Sequence, residues 1–154
     1  MRTWIKEWND IIRDVFFSDV ELKRLMLLPN NTNIITFIDK YFIRAQYTDT
    51  LLTNEDVRII YSDIQGSPTE NPNVLKKMMT FDIFVKKEKL HNVSNDRLVM
   101  RTQVIADRII HLLTKDRYVQ NQGYRFWIAG DWDLGTSTSG YARYCVAFYY
   151  MKTY

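Results

Sequence analysis

The fold class follows from residues 79–85, MTFDIFV, in which fully apolar positions alternate with mixed ones. Every odd-numbered residue of this stretch is apolar, whereas the even-numbered ones include Thr80 and Asp82. This pattern is typical of a β-strand in an antiparallel sheet that is covered on one face. The same period of two predicts further strands at residues 57–61, 124–129 and 141–150.

The cover of this sheet is predicted from a helical stripe in the second half of the chain. Apolar residues recur there at spacings of three and four, and Arg101 is among the residues on the opposite, solvent-facing side. Ser94 or Asn95 is the predicted N-cap, because short polar side chains satisfy the free N–H groups at a helix start. The stripe comprises Leu98, Thr102, Ile105, Ile109 and Leu112.

A second helical region is predicted in the N-terminal part of the chain. Apolar side chains recur at helical spacing in residues 4–16. Residues 33–44 have the same spacing, although their side chains are typical of strands, and we favour a helix there. The sequence thus predicts a single α+β domain over residues 1–154, in which a helical segment, 1–50, precedes a core, 57–154. The predicted core is a small, mostly antiparallel, four-stranded sheet with helices packed on one face.

Two polar segments interrupt the predicted elements. Residues 65–73 and 130–140 are rich in turn-forming residues, and the second is predicted to be a long hairpin loop. Asp131 and Asp133 do not begin a calcium-binding loop, because the residues that follow lack the required ligands, so we expect both carboxylates to bond to backbone N–H groups.

The charge of the chain limits the kind of partner it can have. A net charge of +3 is too small for a dedicated nucleic-acid-binding domain. A cluster of lysines nevertheless flanks the strand at 79–85. We favour its interpretation as a solvated edge that discourages strand-to-strand aggregation, and the alternative is a patch that contacts DNA in a channel or an acidic partner. The cluster comprises Lys76, Lys77, Lys86, Lys87 and Lys89.

No pattern in the sequence predicts catalytic residues, a cofactor or a metal site. The five glycines are scattered, so they do not form a phosphate-binding loop. His91 and His111 lack matched partners for a catalytic triad or a metal centre. Cys145 is the single cysteine, which excludes an intramolecular disulfide and favours an inert place in the core. We therefore expect a protein that is not an enzyme.

The hydrophobic patterning predicts no association with a membrane. Residues 1–8 are interrupted by charges and lack the apolar core of a signal peptide. The longest apolar run, residues 25–28, is far shorter than a membrane span.

Aromatic residues make up 14% of the chain, and Tyr and Trp are enriched at protein interfaces. The aromatic content therefore indicates either contacts with other proteins or a core rich in aromatic side chains.

The order of elements and several local patterns resemble a known family. These are a strand ending at Tyr61, the strand at 79–85, the helical segment VIADRIIHLL at 104–113, and an Asp–Leu–Gly–Thr loop at 133–136 that leads into a final strand with Tyr and Arg. Over residues 57–154 the chain resembles the tail terminator and neck (head–tail connector) proteins of tailed bacteriophages.

This resemblance implies a structural virion protein without catalytic residues or a cofactor. It implies a homo-oligomeric ring, a hexamer or dodecamer, at the tail end or head–tail neck of a phage, assembled in the host cytoplasm. The implied partners are copies of the same chain and the neighbouring neck, portal or tail-tube proteins, with non-specific contacts to DNA in the lumen. The resemblance also implies that the two polar loops reach neighbouring proteins, through Gln65, Gly66, Asp131, Trp132, Asp133 and Thr136. The N-terminal residues, which extend beyond a typical member of that family, are interpreted as a docking element.

Two other classes of function stay open. A small α+β sheet stacks nucleic-acid bases when aromatic side chains lie on its solvent face. For that function, Tyr124, Phe126, Tyr144 and Phe148 would have to face solvent, whereas we expect them to face the helices. The other class is a small enzyme whose site is assembled from dispersed residues, including the two histidines.

Overall fold

The helices form one layer of the molecule. The computed structural model describes residues 3–44, 55–64, 74–136 and 139–153. A π-helical turn continues two of the helices, a 3₁₀ turn follows the third strand, and Asp19 caps the second helix by accepting a hydrogen bond from Leu22 N at 2.8 Å. The α-helices are α1 (Thr3–Ile11), α2 (Val20–Leu25), α3 (Ile34–Thr36), α4 (Arg101–Lys115) and α5 (Arg117–Asn121).

The described strands form a single sheet with the order β1-β2-β3-β5-β4. β1 runs parallel to β2, and all other neighbours are antiparallel. The predicted α+β class is confirmed, but the sheet is mixed and has five strands rather than four. The strands are β1 (Phe42–Arg44), β2 (Val57–Ile64), β3 (Val74–Lys86), β4 (Tyr124–Thr136) and β5 (Tyr141–Thr153).

The additional strand comes from the segment 33–44, which was predicted to be helical throughout. The helix begins after Asn33, whose side chain accepts a hydrogen bond from Thr36 N at 2.8 Å, and the π-helical turn ends at Tyr41. From Phe42 the backbone becomes extended and pairs with β2. The helical prediction is therefore wrong at the end of this segment, where aromatic and β-branched residues gain a neighbouring strand.

The predicted hairpin loop at 130–140 is also wrong, because β4 continues as far as Thr136. Two irregularities, at Ala129 and between Asp133 and Thr136, each insert an extra residue into β4 relative to β5. Gly135 has a φ of 71° within the second bulge, which a residue without a side chain adopts readily. Pairing with the long strand β5 thus holds a Gly- and Asp-rich sequence in extended conformation.

The first turn of α4 lies further along the chain than predicted. Neither Ser94 nor Asn95 is the N-cap, since the helix begins at Arg101. The Arg101 side chain is buried rather than solvent-facing. Its guanidinium donates hydrogen bonds to the backbone oxygens of Lys89, at 2.9 Å, and Leu25, at 2.8 Å, which satisfy the charged group in the interior. Leu98, predicted to be part of the apolar stripe, is 88% exposed, whereas the other predicted stripe residues are buried.

The core lies between the helices and one face of the sheet, called here the covered face. α4 contributes Ile105 and Ile109, which are buried in the same cluster as Phe81 of β3. Residues before α2 complete this core: Trp8 of α1 lies 5.9 Å, centroid to centroid, from Tyr61. The described part of the N-terminal segment, interpreted above as a docking element, therefore packs against the sheet.

In the parts of the chain that the structure describes, no helix is long and apolar enough to cross a membrane.

Candidate assembly surface

The opposite side of the sheet, called here the open face, carries the side chains that alternate with the core residues. In β5, Val146 and Phe148 belong to the core cluster, while Cys145, Ala147 and Tyr149 point the other way. The cross-strand register places these three beside Asp82, Thr80 and Met78 of β3. The open-face residues considered below are Lys76, Met78, Asp82, Phe84, Arg125, Trp127, Trp132, Arg143, Cys145, Ala147, Tyr149 and Met151.

A pair of aromatic rings lies at one end of the open face. Trp127 of β4 and Tyr149 of β5 are direct cross-strand partners, with ring centroids 6.0 Å apart. The Lys76 Nζ lies 5.5 Å from the centroid of the Tyr149 ring. The two rings are 37% and 38% exposed, so part of each ring remains in contact with solvent. We call Lys76, Trp127 and Tyr149 the aromatic–basic row.

A second tryptophan lies further along β4 on the same face. Trp132 pairs in register with Cys145, and its ring packs over Gly130, where an added Cβ would lie 3.7 Å from the indole. Burial, followed by the nearby charge of Asp82 and a hydrogen bond to it, raises the pKa of the Cys145 thiol to about 12. Cys145 is thus protonated at neutral pH, which makes it a poor nucleophile.

The opposite charges of Asp82 and Arg143, in the middle of the open face, neutralise each other. Arg143 donates from Nη2 and Nε to Asp82 Oδ1, at 2.9 Å and 3.2 Å. The Arg143 guanidinium also lies 5.6 Å from the centroid of the Phe84 ring. This part of the face therefore carries an ion pair and an aromatic ring, and the pair has no net charge.

β4 forms one edge of the sheet, and the residues of its second half are exposed from Asp131 to Thr136. Among the described residues no strand pairs with its outer edge. Four large apolar side chains on this strand, those of Trp127, Ile128, Trp132 and Leu134, are between 37% and 47% exposed. A long edge strand with exposed apolar side chains is a template for pairing with another chain.

The residues predicted to contact partners in the second loop lie within this edge strand. Asp131, Trp132, Asp133 and Thr136 are all exposed. Asp133 bonds to a backbone N–H as expected, that of Gly135 at 2.7 Å, whereas Asp131 instead accepts a hydrogen bond from a tyrosine hydroxyl. The other predicted contact residues, Gln65 and Gly66, lie outside the described residues.

The tyrosine bonded to Asp131 marks an acidic region on the covered side of β4. Tyr144 Oη donates to Asp131 Oδ2 at 2.5 Å. This hydrogen bond, together with burial and the charges of Asp131, Asp107 and Asp133, raises the pKa of Tyr144 to about 12. The two sides of the β4 edge therefore differ in charge, with carboxylates on one side and the aromatic–basic row on the other.

The structure does not bring the five lysines of the predicted basic cluster together. Lys76 and Lys77 lie near the start of β3, whereas Lys86 ends it, about 33 Å away for ten residues of extended chain. Lys86 lies 3.6 Å from Asp56, and Lys87 N donates to Gly140 O at 3.0 Å, which places this second group beside the end of the β4–β5 hairpin. Lys87 and Lys89 begin and end the 3₁₀ turn.

The four aromatic residues required by the nucleic-acid-binding alternative lie on the covered face, as expected. Tyr124, Phe126 and Phe148 are buried in the core cluster, and Tyr144 packs against it with partial exposure. The sequence interpretation overlooked the aromatic residues of the open face. The signal was present in the alternation, because Trp127 and Tyr149 follow directly after two buried phenylalanines.

A family model named YomW matches residues 19–150, which is most of the chain. The chain belongs to the YomW family. The YomW match begins at Asp19, the N-cap of α2, and ends at Tyr150, within β5. Its name is a phage-type protein name, and the protein is accordingly phage-associated. That name does not specify a tail terminator or a neck protein. No curated protein matches the chain.

Proposed function

We propose that this protein is a structural virion protein that forms a homo-oligomeric ring in a tailed phage. The ring lies at the tail end or the head–tail neck and joins the tail tube to the portal or connector around the DNA channel. Membership of the YomW family supports the phage context. The observation that carries the proposal is the β4 edge, which combines an available backbone edge with exposed apolar side chains.

Assembly through this edge has a clear physical basis. A second chain that pairs with β4 gains backbone hydrogen bonds, and the two sides of the strand add side-chain contacts. Ile128 and Leu134 are about half exposed in the monomer, so burying them in an interface is favourable. An interface that joins different surfaces of adjacent subunits closes into a ring when the rotation between subunits closes.

The test is light scattering coupled to size-exclusion chromatography over a range of protein concentrations. We expect the wild-type chain to form a discrete ring-sized oligomer, and negative-stain electron microscopy to show a hexamer or dodecamer. The double variant Ile128→Lys and Leu134→Lys places two charges on the edge and should shift the mass to that of the monomer. Leu98→Lys is the matched control, because Leu98 is also an exposed leucine but lies in the segment before α4.

Two results would contradict the proposal. One is a wild-type chain that remains monomeric at every concentration, both alone and with tail-tube protein. The other is an oligomer whose mass responds equally to the edge variant and to Leu98→Lys, since assembly would then not depend on β4.

A further inference from the structure

The open face contains a second feature that assembly through the β4 edge does not explain. The members of its aromatic–basic row lie on three strands: Trp127 of β4 pairs in register with Tyr149 of β5, and the Lys76 Nζ of β3 lies 5.5 Å from the centroid of the Tyr149 ring. The backbone of Lys76 pairs with Met151, which in turn pairs with Arg125, an exposed residue. At this end of the sheet, partly exposed rings therefore lie beside two positive charges.

The charged side chains nearest to these rings on the open face are positive. Among the described strand residues of the open face, the one carboxylate is that of Asp82, which lies two rows from Tyr149 and is bonded to Arg143. Arg125 donates from Nη1 to the backbone oxygens of Gln120 and Tyr124, each at 2.9 Å, so its charge is held at the edge of the row without a carboxylate partner among these contacts. The row is complementary to an anionic ligand.

We propose that the aromatic–basic row binds single-stranded nucleic acid. Proteins bind single strands by combining a positively charged track for the phosphates with aromatic rings on which bases stack. Trp127 and Tyr149 supply the two rings, while Lys76 and Arg125 supply positive charges beside them. A base in a duplex is already stacked and paired, so this surface favours an unpaired strand.

The arrangement of the row predicts little sequence preference. Every base has an aromatic face, so stacking on the two rings does not distinguish one base from another. Binding should therefore depend strongly on salt and only weakly on base identity. This inference does not require ring formation, because the three residues of the row belong to one subunit.

The test is fluorescence anisotropy of the full chain with a labelled oligothymidine of about 16 nucleotides at low salt. Tyr149→Thr and Trp127→Thr remove a ring but keep a β-branched residue that suits a strand. Each is expected to weaken binding about tenfold or more. Trp127→Phe keeps an aromatic face and should retain most of the affinity. Leu98→Thr is the control, because it alters an exposed apolar residue outside both the row and the β4 edge and should leave the affinity unchanged.

Two further measurements separate stacking from simple charge attraction. Lys76→Gln should reduce the slope of log affinity against log salt concentration by about 0.7, the value for one phosphate contact on a single strand. Unlabelled single strands should displace the probe at much lower concentration than a duplex of equal length.

Several results would overturn the proposal. These are an absence of wild-type binding at low salt, equal competition by duplex, and equal effects of Tyr149→Thr and Leu98→Thr. Light scattering is recorded for each variant, because Trp127 lies on the proposed assembly strand whereas Tyr149 lies on the inner strand β5. If Tyr149→Thr changes the oligomer mass but not the oligonucleotide affinity, the row is a contact between copies and the proposal is wrong. Loss of affinity at unchanged mass supports the proposal, whatever the assembly state.

Discussion

The covered face and the open face are built from alternate residues of the same strands, yet they enclose their aromatic rings to different extents. Phe148 is fully buried against the helices, while its neighbour Tyr149 is partly exposed on the other side. Phe126 and Trp127 repeat this contrast on β4. One aromatic-rich pattern therefore places some rings in the core and leaves others partly exposed to solvent.

The largest effect is expected from truncating neighbouring residues on the two faces. Phe148→Ala should lower the free energy of unfolding by about 3–5 kcal/mol, because it leaves a cavity in the core. Tyr149→Ala should lower it by about 1 kcal/mol or less, since the ring is partly exposed. Urea unfolding followed by fluorescence measures both. Similar losses for the two variants would show that the open face is as important to stability as the covered face.

A smaller effect is expected from the hydrogen bonds of Asp19, which link α2 to α4 within the helical layer. Asp19 caps α2 and accepts hydrogen bonds from Arg108 of α4, at 2.5 Å and 2.8 Å. Asp19→Ala removes both interactions and should lower the free energy of unfolding by about 2 kcal/mol. Glu21→Ala is the control, because its pair with Arg24 is exposed and should contribute less than about 1 kcal/mol. Equal effects in urea unfolding would argue against the link.

The same carboxylate predicts a change of stability with pH. Burial alone would raise the pKa of Asp19, but hydrogen bonds from Arg108 and Leu22 N, together with the charge of Arg108, outweigh it and hold the pKa below the ordinary 3.8. The stabilisation is therefore complete above pH 3.8 and is lost as the pH falls through the folded-state pKa. The stability difference between wild type and Asp19→Asn should narrow in acid. Urea unfolding across a pH series measures it, and a constant or widening difference would contradict the assignment.

The smallest effect is expected from the ion pair on the open face. Arg143→Ala should change the free energy of unfolding by about 0–1 kcal/mol, because the pair with Asp82 is partly solvated. A double-mutant cycle with Asp82→Ala isolates the pairwise contribution. A coupling well above that range would mean that the centre of the open face is shielded from solvent, and the contrast between the faces would need revision.

The strands could be predicted because alternation is a local property of the sequence. The core positions of β3 were read correctly from seven residues alone. The second half of β4 could not be predicted, since its Gly and Asp residues favour a loop and its extended conformation depends on pairing with β5. The start of α4 was missed for a similar reason: buried Arg101 is held there by backbone oxygens of Leu25 and Lys89, the first of them distant in sequence.

The candidate surface could be predicted only in part. Asp131 and Trp132 were predicted to lie in a loop that contacts partners, whereas they lie in an edge strand, where both are exposed. The lysines looked like one cluster because they flank a short stretch of sequence, whereas an extended strand carries its two ends far apart. The aromatic–basic row joins three strands, and the register that brings its members together is not visible in the sequence.

The bulge at Ala129 determines on which side of β4 the later side chains lie. If Ala129 instead paired with β5 in regular alternation, the Trp132 ring would lie on the side of the helices and the carboxylates of Asp131 and Asp133 on the open face. Deleting Ala129 would remove the bulge and leave these side chains on their present sides, because residues 130–133 already pair with β5 as if Ala129 were absent. The bulge thus determines, together with the residue types, which side of the edge is acidic and which is aromatic.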